Sequence, residues 1–172
     1  GGNHWMLAAI MSSATHHAGA LTDVLIAQNS AQLKPLLPAV ESMISLNAAV
    51  SPESLLPKLA KGVAGGLAEI GVEAFQVVSS ILAAGVTDGL EPVIALAASS
   101  ARDESASGAV RSEAISLLSA ARQRDQLPFL QSLLGYEIPF EVQSAAISAM
   151  GDLGSKDDAR MLLKRWNQLG PA

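Results

Sequence analysis

The histidines are the side chains best suited to bind a metal ion or transfer a proton. His16 and His17 are adjacent in a predicted turn, and His4 lies a full predicted helix before them. A protein zinc site usually takes several ligands from cysteine, histidine or carboxylate side chains, and the chain contains no cysteine. A solvated turn at His16 and His17 is therefore favoured over a metal site, and the sequence predicts no metal-binding residue and no cofactor.

Carboxylates occur as close pairs at three places: Asp88 with Glu91, Asp103 with Glu104, and Asp157 with Asp158. General acid–base catalysis needs two carboxylates held across a cleft in environments that differ. These pairs fall instead at predicted helix starts, where an acidic side chain is stabilised by the helix dipole. We interpret them as capping groups, not as catalytic pairs.

No motif for covalent catalysis or phosphate binding accompanies these residues. The many serines lack the Gly-x-Ser-x-Gly elbow of a nucleophile. The glycine-rich stretch 62–66 lacks the Gly-Lys-Ser/Thr ending of a phosphate loop and a preceding strand. Trp5 and Trp166 are interpreted as packing residues, not as platforms for a stacked ligand. The sequence therefore predicts no catalytic residue and a chain that is not an enzyme.

The charge pattern argues against nucleic-acid binding. The net charge is −5, from 11 basic and 16 acidic residues with the signs interspersed. A nucleic-acid-binding face needs a basic stripe, and none is present. Arg111, Arg160, Lys164 and Arg165 could form a mildly basic end, but a solvated face is the favoured interpretation. No apolar run approaches the roughly 20 residues that span a bilayer, so we predict no membrane span.

The composition predicts an all-helical protein. Hydrophobic residues make up 49% of the chain, whereas aromatic residues make up only 3%. Small aliphatic side chains must therefore form the core, and strand-type alternation is absent. Charged residues amount to 16%, a low fraction for an independent domain. We expect flanking domains of a longer chain, or a protein partner, to cover part of the surface.

The stretch from Phe140 to Leu163 predicts two short helices joined by a tight turn. Gly151 and Gly154 are predicted to end the first helix with a left-handed cap, and Ser155 or Asp157 to cap the second. Apolar residues at three- and four-residue steps mark one helical face: Val142, Ala146, Ala149, Met150 and Leu153.

A similar unit occurs 32 residues upstream, where Val110 aligns with Val142. In it, Asp125 is the predicted cap of the second helix and Pro128 lies in that helix's first turn. A helical hairpin cannot bury its apolar face alone, so such units stack into an α-solenoid. The alignment predicts these core residues: Val110, Ala114, Ile115, Leu118, Val142, Ala146, Ile147 and Met150.

The rest of the chain follows the same helical pattern, with about ten helices in all. Gly1 and Gly2 are interpreted as a cloning remnant, and residues 3–172 as a single solenoid domain cut from a longer protein. Its clearest repeats are 109–136 and 139–168. Further helices are predicted at about 3–15, 20–28 and 33–47, from Pro52, at 73–84, and after a cap at Thr87 and Asp88. The conformation of the glycine-rich residues 62–71 is not predicted.

The segment Val142–Gly154 resembles the HEAT repeat, whose second helix often reads V-R-x-x-A-x-x-A-L-G-x-L-G. Val110–Ala114 matches the opening of that pattern, including Arg111, whereas Gln143 replaces the arginine in the later copy. The resemblance covers residues 109–168. It implies an α-α superhelix of the HEAT or armadillo type, in which stacked hairpins present a long concave face to partners.

A second resemblance concerns the protein from which the chain would come. Trp5–Ala14, Glu141–Ala146 and Leu162–Trp166 are similar to the helical middle region of large exported proteins of planctomycetes and related bacteria. Those proteins are named membrane-bound dehydrogenases or haem-binding-domain proteins. The resemblance implies a propeller-like domain before the repeats, a c-type haem domain after them, and export from the cytoplasm. It transfers no functional residue to this chain.

Together these observations favour a non-catalytic scaffold or spacer within a larger exported redox protein. A HEAT-type enzyme subunit or small-ligand-binding protein is the alternative, which a deep pocket with convergent polar groups would favour. A nucleic-acid-binding repeat protein is disfavoured by the net charge. Because a solenoid cut from a longer chain lacks polar capping repeats, we also expect at least one of Trp5, Trp166 and Leu169 to be exposed at an end and to drive weak self-association.

Overall fold

Helices form all the regular secondary structure in the residues described by the computed structural model, which are 19–20, 22–50 and 55–165. These residues fall into two compact units that divide between Val93 and Ile94. The predicted all-α class is confirmed. The predicted helix at 3–15 lies outside the described residues.

In the first unit, residues 19–20 and 22–26 are helical and are followed by four named helices. A short 3-10 helix, Lys34–Leu36, links α1 to α2, and another, Gly71–Ala74, links α3 to α4. The helices are α1 (Ser30–Leu33), α2 (Leu37–Val50), α3 (Leu55–Ile70) and α4 (Phe75–Ala83).

The start of α2 follows from its prolines. Asn29 closes a capping box with Gln32 before α1, and the chain then passes through a 3-10 turn that contains Pro35. Regular α-helix begins only at Leu37, with Pro38 in its first turn, where proline needs no amide hydrogen. The predicted start near Pro35 or later is therefore confirmed.

The glycine-rich stretch is helical up to Ile70, because two of its glycines are packed against neighbouring side chains. A Cβ at Gly62 would overlap the side chain of Ile26, and one at Gly66 would stand 3.0 Å from Leu33 Cδ2. Each glycine costs a helix about 1 kcal/mol relative to alanine, and the close approach offsets that cost. Gly71 has a φ of 79° and turns the chain into α4.

Residues Leu56–Ala83 form a continuous 28-residue helical stretch whose most apolar window has a mean hydropathy of 1.4. By length and composition alone this stretch could cross a membrane, which differs from the expectation drawn from the sequence. A core helix passes the same test, and Leu59, Leu67 and Phe75 in this stretch are fully buried. The left-handed turn at Gly71 also divides the stretch into two helices, each shorter than the roughly 20 residues of a bilayer span. The buried residues of both helices therefore contribute to the core of the first unit.

The second unit contains the two predicted repeats. The helix α5 (Glu91–Arg102) spans the division between the units and begins at Glu91, so Thr87 and Asp88 lie in the preceding turn and do not cap it as predicted. The remaining helices are α6 (Gly108–Ala120), α7 (Leu127–Ser132), α8 (Phe140–Leu153) and α9 (Lys156–Arg165), with a 3-10 helix at Arg124–Gln126. The most extensive packing in this unit is that of α6 on α8.

The predicted core is confirmed at six of its eight positions, each of which is at most 2% exposed. These residues are Ala114, Ile115, Leu118, Val142, Ala146 and Met150. Val110 and Ile147 are only half-buried, so the prediction is wrong for both. In α6 the buried face is centred on Arg111, Ala114 and Leu118, which leaves Val110 at its margin. Ile147 lies at the opposite margin of the α8 face.

The helix ends differ from the predicted glycine caps. Gly151 lies within α8, and Gly154 ends the helix in an extended conformation with a φ of −75°. Glycine is needed at 154 for space, because a Cβ there would overlap the carbonyl oxygen of Met150. The left-handed residue is Arg122, which has a φ of 56° and occupies the position equivalent to Gly154 in the earlier repeat. Prediction of a left-handed cap was therefore wrong for both glycines.

Candidate functional site

Several residues singled out by the sequence lie outside the described part of the chain. They are His4, Trp5, His16, His17, Trp166 and Leu169. The solvated turn and the exposed end residues therefore remain predictions. Within the described ranges, no group of three or more histidine, cysteine or acidic side chains is placed to hold a metal ion.

The acidic pair Asp157 and Asp158 lies at the start of α9, as predicted. Ser155 Oγ accepts hydrogen bonds from the backbone amides of Asp157 and Asp158 at 3.2 and 3.4 Å. Asp158 Oδ2 in turn accepts from the Ser155 amide and hydroxyl, each at 2.8 Å, which completes a reciprocal cap. These bonds favour the carboxylate and lower the pKa of Asp158. Ser155 is thus the cap, and Asp157 instead pairs with Arg160 at 2.6 Å.

The pair Asp103 and Glu104 follows the end of α5 and does not start a helix, which corrects that part of the prediction. Asp103 Oδ1 accepts hydrogen bonds from the Ser105 hydroxyl at 2.6 Å and the Ser105 amide at 2.9 Å. These bonds lower the pKa of Asp103, and the positive charge of Arg111 acts in the same direction. The hydrogen bonds of Asp103 therefore shape the turn after α5.

The predicted capping role of Asp125 is also wrong. Asp125 lies within the 3-10 helix before α7, and its carboxylate accepts a 2.6 Å bond from its neighbour Gln126. Pro128 does lie in the first turn of α7, as predicted. The charged start of this helix therefore has a structural role, and no acid–base pair forms there.

The interpretation of the basic residues as a solvated face is wrong for Arg111. Arg111 is buried, at 5% exposure, and its Nε donates a 3.2 Å bond to the carbonyl oxygen of Ala101 near the end of α5. Arg160 is exposed and paired with Asp157. The side chains of Lys164 and Arg165 lie outside the description. Arg111 is thus a buried cap for helix carbonyls, where a positive charge is favourable.

Gln143 is the buried counterpart of Arg111, 32 residues later in the sequence, and is 7% exposed. Its Nε2 donates to the carbonyl oxygen of Gly135 and, at 3.3 Å, to that of Ile138. Both acceptors lie in the connection between α7 and α8, so Gln143 fixes the shape of that connection. This role was not predicted, although a polar residue on the apolar face of a repeat was a visible signal in the sequence.

Hydrogen bonds also tie the two repeats together at the other ends of α6 and α8. Ser119 Oγ donates to Asp152 Oδ2 at 3.1 Å, and Arg122 Nη1 donates to the Asp152 carbonyl oxygen at 3.2 Å. Because Ser119 and Arg122 belong to the earlier repeat and Asp152 to the later one, these bonds fix the register between the stacked helices. Their role is structural.

Two exposed aromatic side chains of the second unit lie in the connection that Gln143 fixes and at the start of α8. Tyr136 is 84% exposed and Phe140 is 67% exposed. Glu137 and Glu141, beside them in the sequence, are also exposed. Aromatic side chains that remain in water next to fixed backbone are typical of binding surfaces.

Comparison with known families agrees with this architecture. Residues 95–168 match the sequence pattern of HEAT repeats. This region is a HEAT-like repeat region, and it contains the stacked helices α6 and α8. The match extends the predicted region, 109–168, back into α5. No curated protein and no solved structure gave a match.

Proposed function

We propose that the chain is a non-catalytic helical scaffold that binds a protein partner. The observation that carries this proposal is the stacking of α6 on α8 within the region that matches HEAT repeats. Repeats of this kind build extended surfaces from nearest-neighbour packing, which suits them to bind other proteins.

The polar groups buried in the second unit support a structural role for its interior. Arg111 and Gln143 donate hydrogen bonds to backbone carbonyl oxygens, and Ser119 donates one to Asp152. Among the described residues, every buried side-chain nitrogen and oxygen has a hydrogen-bond partner. Buried groups that are already satisfied are not free to bind a small ligand, so binding is expected at the surface.

The finer proposal is that the scaffold is a spacer within a larger exported redox protein, with flanking domains of that protein as its neighbours. It is supported by the resemblance of Trp5–Ala14, Glu141–Ala146 and Leu162–Trp166 to the middle region of such proteins. Reading the complete gene tests it directly. A signal peptide upstream and a CxxCH motif downstream are the expected findings, and a gene without either would overturn the spacer proposal.

The protein-binding function is tested by site-specific photo-crosslinking in the source cells. A photoreactive residue replaces Glu113, Tyr136 or Arg160, each of which is exposed. We expect a discrete crosslinked product that contains a second protein and forms from some positions and not from others. A complete lack of products from all three positions, with the protein folded and present, would contradict the proposed function.

A further inference from the structure

Two exposed aromatic side chains lie four residues apart in the second unit. Tyr136 belongs to the connection between α7 and α8, and Phe140 is the first residue of α8. Their exposed fractions, 84% and 67%, mean that most of each ring contacts water. Exposure of this extent costs hydrophobic free energy that burial against a partner would recover, at about 25 cal/mol per Å².

The backbone that carries Tyr136 is held in place. Gln143 donates to the carbonyl oxygens of Gly135 and Ile138, which flank Tyr136, and the Ile138 amide donates to the Gly135 carbonyl oxygen at 3.1 Å. The carboxyl group of Glu137 lies against Gly135, where an added Cβ would overlap it. A ring on fixed backbone loses little entropy on binding, which favours its use as an anchor.

The charged residues next to the two rings in the sequence are all acidic. Glu141 belongs to the first turn of α8, and its carboxylate lies against Gly108, the first residue of α6. Glu137 and Glu141, which are next to the two rings in the sequence, are both exposed. We call Tyr136, Glu137, Phe140 and Glu141 the acidic aromatic edge.

No residue from Gly135 to Glu141 is basic, so none of them balances these carboxylates. Arg111 is buried, and Arg102 donates hydrogen bonds to the Ala98 carbonyl oxygen and to the Gln126 side chain, with its guanidinium 4.2 Å from the centroid of the Phe129 ring. None of the ion pairs found among the described residues includes a carboxylate of the edge.

We infer that the acidic aromatic edge docks an arginine-containing basic segment of a protein partner. An arginine guanidinium stacks on an aromatic ring and forms paired hydrogen bonds to a carboxylate, so it matches both features of this edge. A lysine ammonium would match the charge but would stack less well. This inference rests on the proposed protein-binding function and names the chemistry of the partner.

The test uses the complete 172-residue chain and a fluorescent oligo-arginine peptide, with an oligo-lysine peptide of equal length for comparison. Fluorescence anisotropy gives each dissociation constant. We expect tighter binding of the arginine peptide, and a loss of about 10-fold or more when Tyr136→Ala and Phe140→Ala are combined. The combined change to leucine at both positions keeps apolar bulk but removes the rings, so it should also weaken binding.

The contribution of the carboxylates is measured with Glu137→Gln combined with Glu141→Gln. This variant should bind more weakly and should lose less affinity as salt is raised, because salt shortens the Debye length from about 10 Å at 0.1 M to about 3 Å at 1 M. Leu163→Ala, at a side chain 73% exposed, is the matched apolar control and should change affinity less than about 2-fold.

Three results would overturn the inference. They are no binding of the arginine peptide, binding by the ring-free variants as tight as that of the wild type, or a loss of affinity in the Leu163→Ala control as large as the loss in the ring-free variants. Each variant alters exposed residues, and circular dichroism checks that helicity is kept. If the peptide fails to bind while crosslinks form from Glu113 or Arg160, the edge is not the docking surface but the protein-binding function stands. If no position crosslinks and the peptide also fails, both proposals are wrong.

Discussion

The two repeats of the second unit use equivalent positions in different ways. Positions 32 residues apart in α6 and α8 share a buried face, yet Ile115 is fully buried while its counterpart Ile147 is only half-buried. Ser119, one turn after Ile115 on the same face, bonds to Asp152 of α8. The face of α6 that carries Ile115 is therefore covered by the next repeat, whereas the same face of α8 carries Ile147 and the exposed Gly151.

The buried polar position shows a second contrast. Arg111 caps the end of the helix before it, whereas Gln143 fixes a connection that bears an exposed tyrosine. In the earlier repeat the residue at this position therefore stabilises helix packing, and in the later repeat it fixes the shape of a surface loop. A repeat pattern conserves the fold while single substitutions within it alter what the surface presents.

The largest expected difference in the free energy of unfolding is between substitutions at Ile115 and at Ile147. Ile115→Ala should lower the free energy of unfolding by about 2–5 kcal/mol, because it removes a fully packed side chain and leaves a cavity. Ile147→Ala should cost clearly less, about 1–2 kcal/mol, since its side chain already contacts water. Urea denaturation of both variants gives the comparison. Equal losses would show that the two faces are equally covered.

The buried polar pair should give the next largest effects. Arg111→Met leaves the Ala101 carbonyl without its side-chain donor, and Gln143→Met does the same to Gly135 and Ile138, so each should cost about 1–3 kcal/mol. Hydrogen exchange distinguishes them, because only Gln143→Met should speed exchange of the Ile138 amide. Faster exchange there in both variants would mean that the loop is not fixed by Gln143 in particular.

The helix ends offer a further contrast. Gly154→Ala should destabilise by about 1–3 kcal/mol, since the added methyl group would meet the Met150 carbonyl oxygen. Arg122→Gly should change stability by less than about 1 kcal/mol, because relief of the left-handed strain is offset by the freedom of glycine in the unfolded chain and by the lost bond to Asp152. Thermal unfolding of both variants tests this, and a large loss in Arg122→Gly would contradict it.

The smallest expected effect is the pH dependence that Asp158 contributes in the later repeat. Asp158 has a folded pKa below its ordinary value of 3.8, so its contribution to stability is present above pH 3.8 and is lost as pH falls through the lowered value. Its counterpart in the earlier repeat is Gln126, which does not titrate. The gap in unfolding free energy between the wild type and Asp158→Asn should therefore narrow in acid.

The Asp158 prediction has a clear internal control. Glu113→Gln removes an exposed carboxylate on α6 that makes no bond to a helix cap, so it controls for the loss of one negative charge. If the difference in unfolding free energy between the wild type and Asp158→Asn stays constant down to the acid unfolding transition, the bonds from Ser155 do not favour the charged form of Asp158.

Much of the fold could be predicted from the sequence because the signals are local. Three- and four-residue spacing of apolar side chains located α6 and α8, and Pro35 and Pro38 located the start of α2. The caps were predicted less well. Ser155 was one of two named candidates, whereas Asp125 and the pair Thr87 and Asp88 have the right residue types but do not cap their helices.

The candidate surface could not be predicted from residue types. In the sequence, Tyr136 and Phe140 are two apolar residues near a helix start, like many others in the chain. Only the structure shows that their side chains are exposed. The carboxylate of Glu141 lies against Gly108, about 30 residues earlier in the sequence, and stacking of consecutive repeats brings such segments together. No local pattern contains that information.

The sequence by itself determined the helical class, the 32-residue period and the polarity of most helix faces, since these depend on spacing within a single helix. Tertiary structure decided which margin of each face is covered, which is why Val110 and Ile147 are half-buried. It also decided that Arg122 adopts a left-handed conformation and that Gln143 reaches two carbonyls. These outcomes depend on neighbours supplied by another part of the chain, and packing against those neighbours is not encoded in the period of one helix.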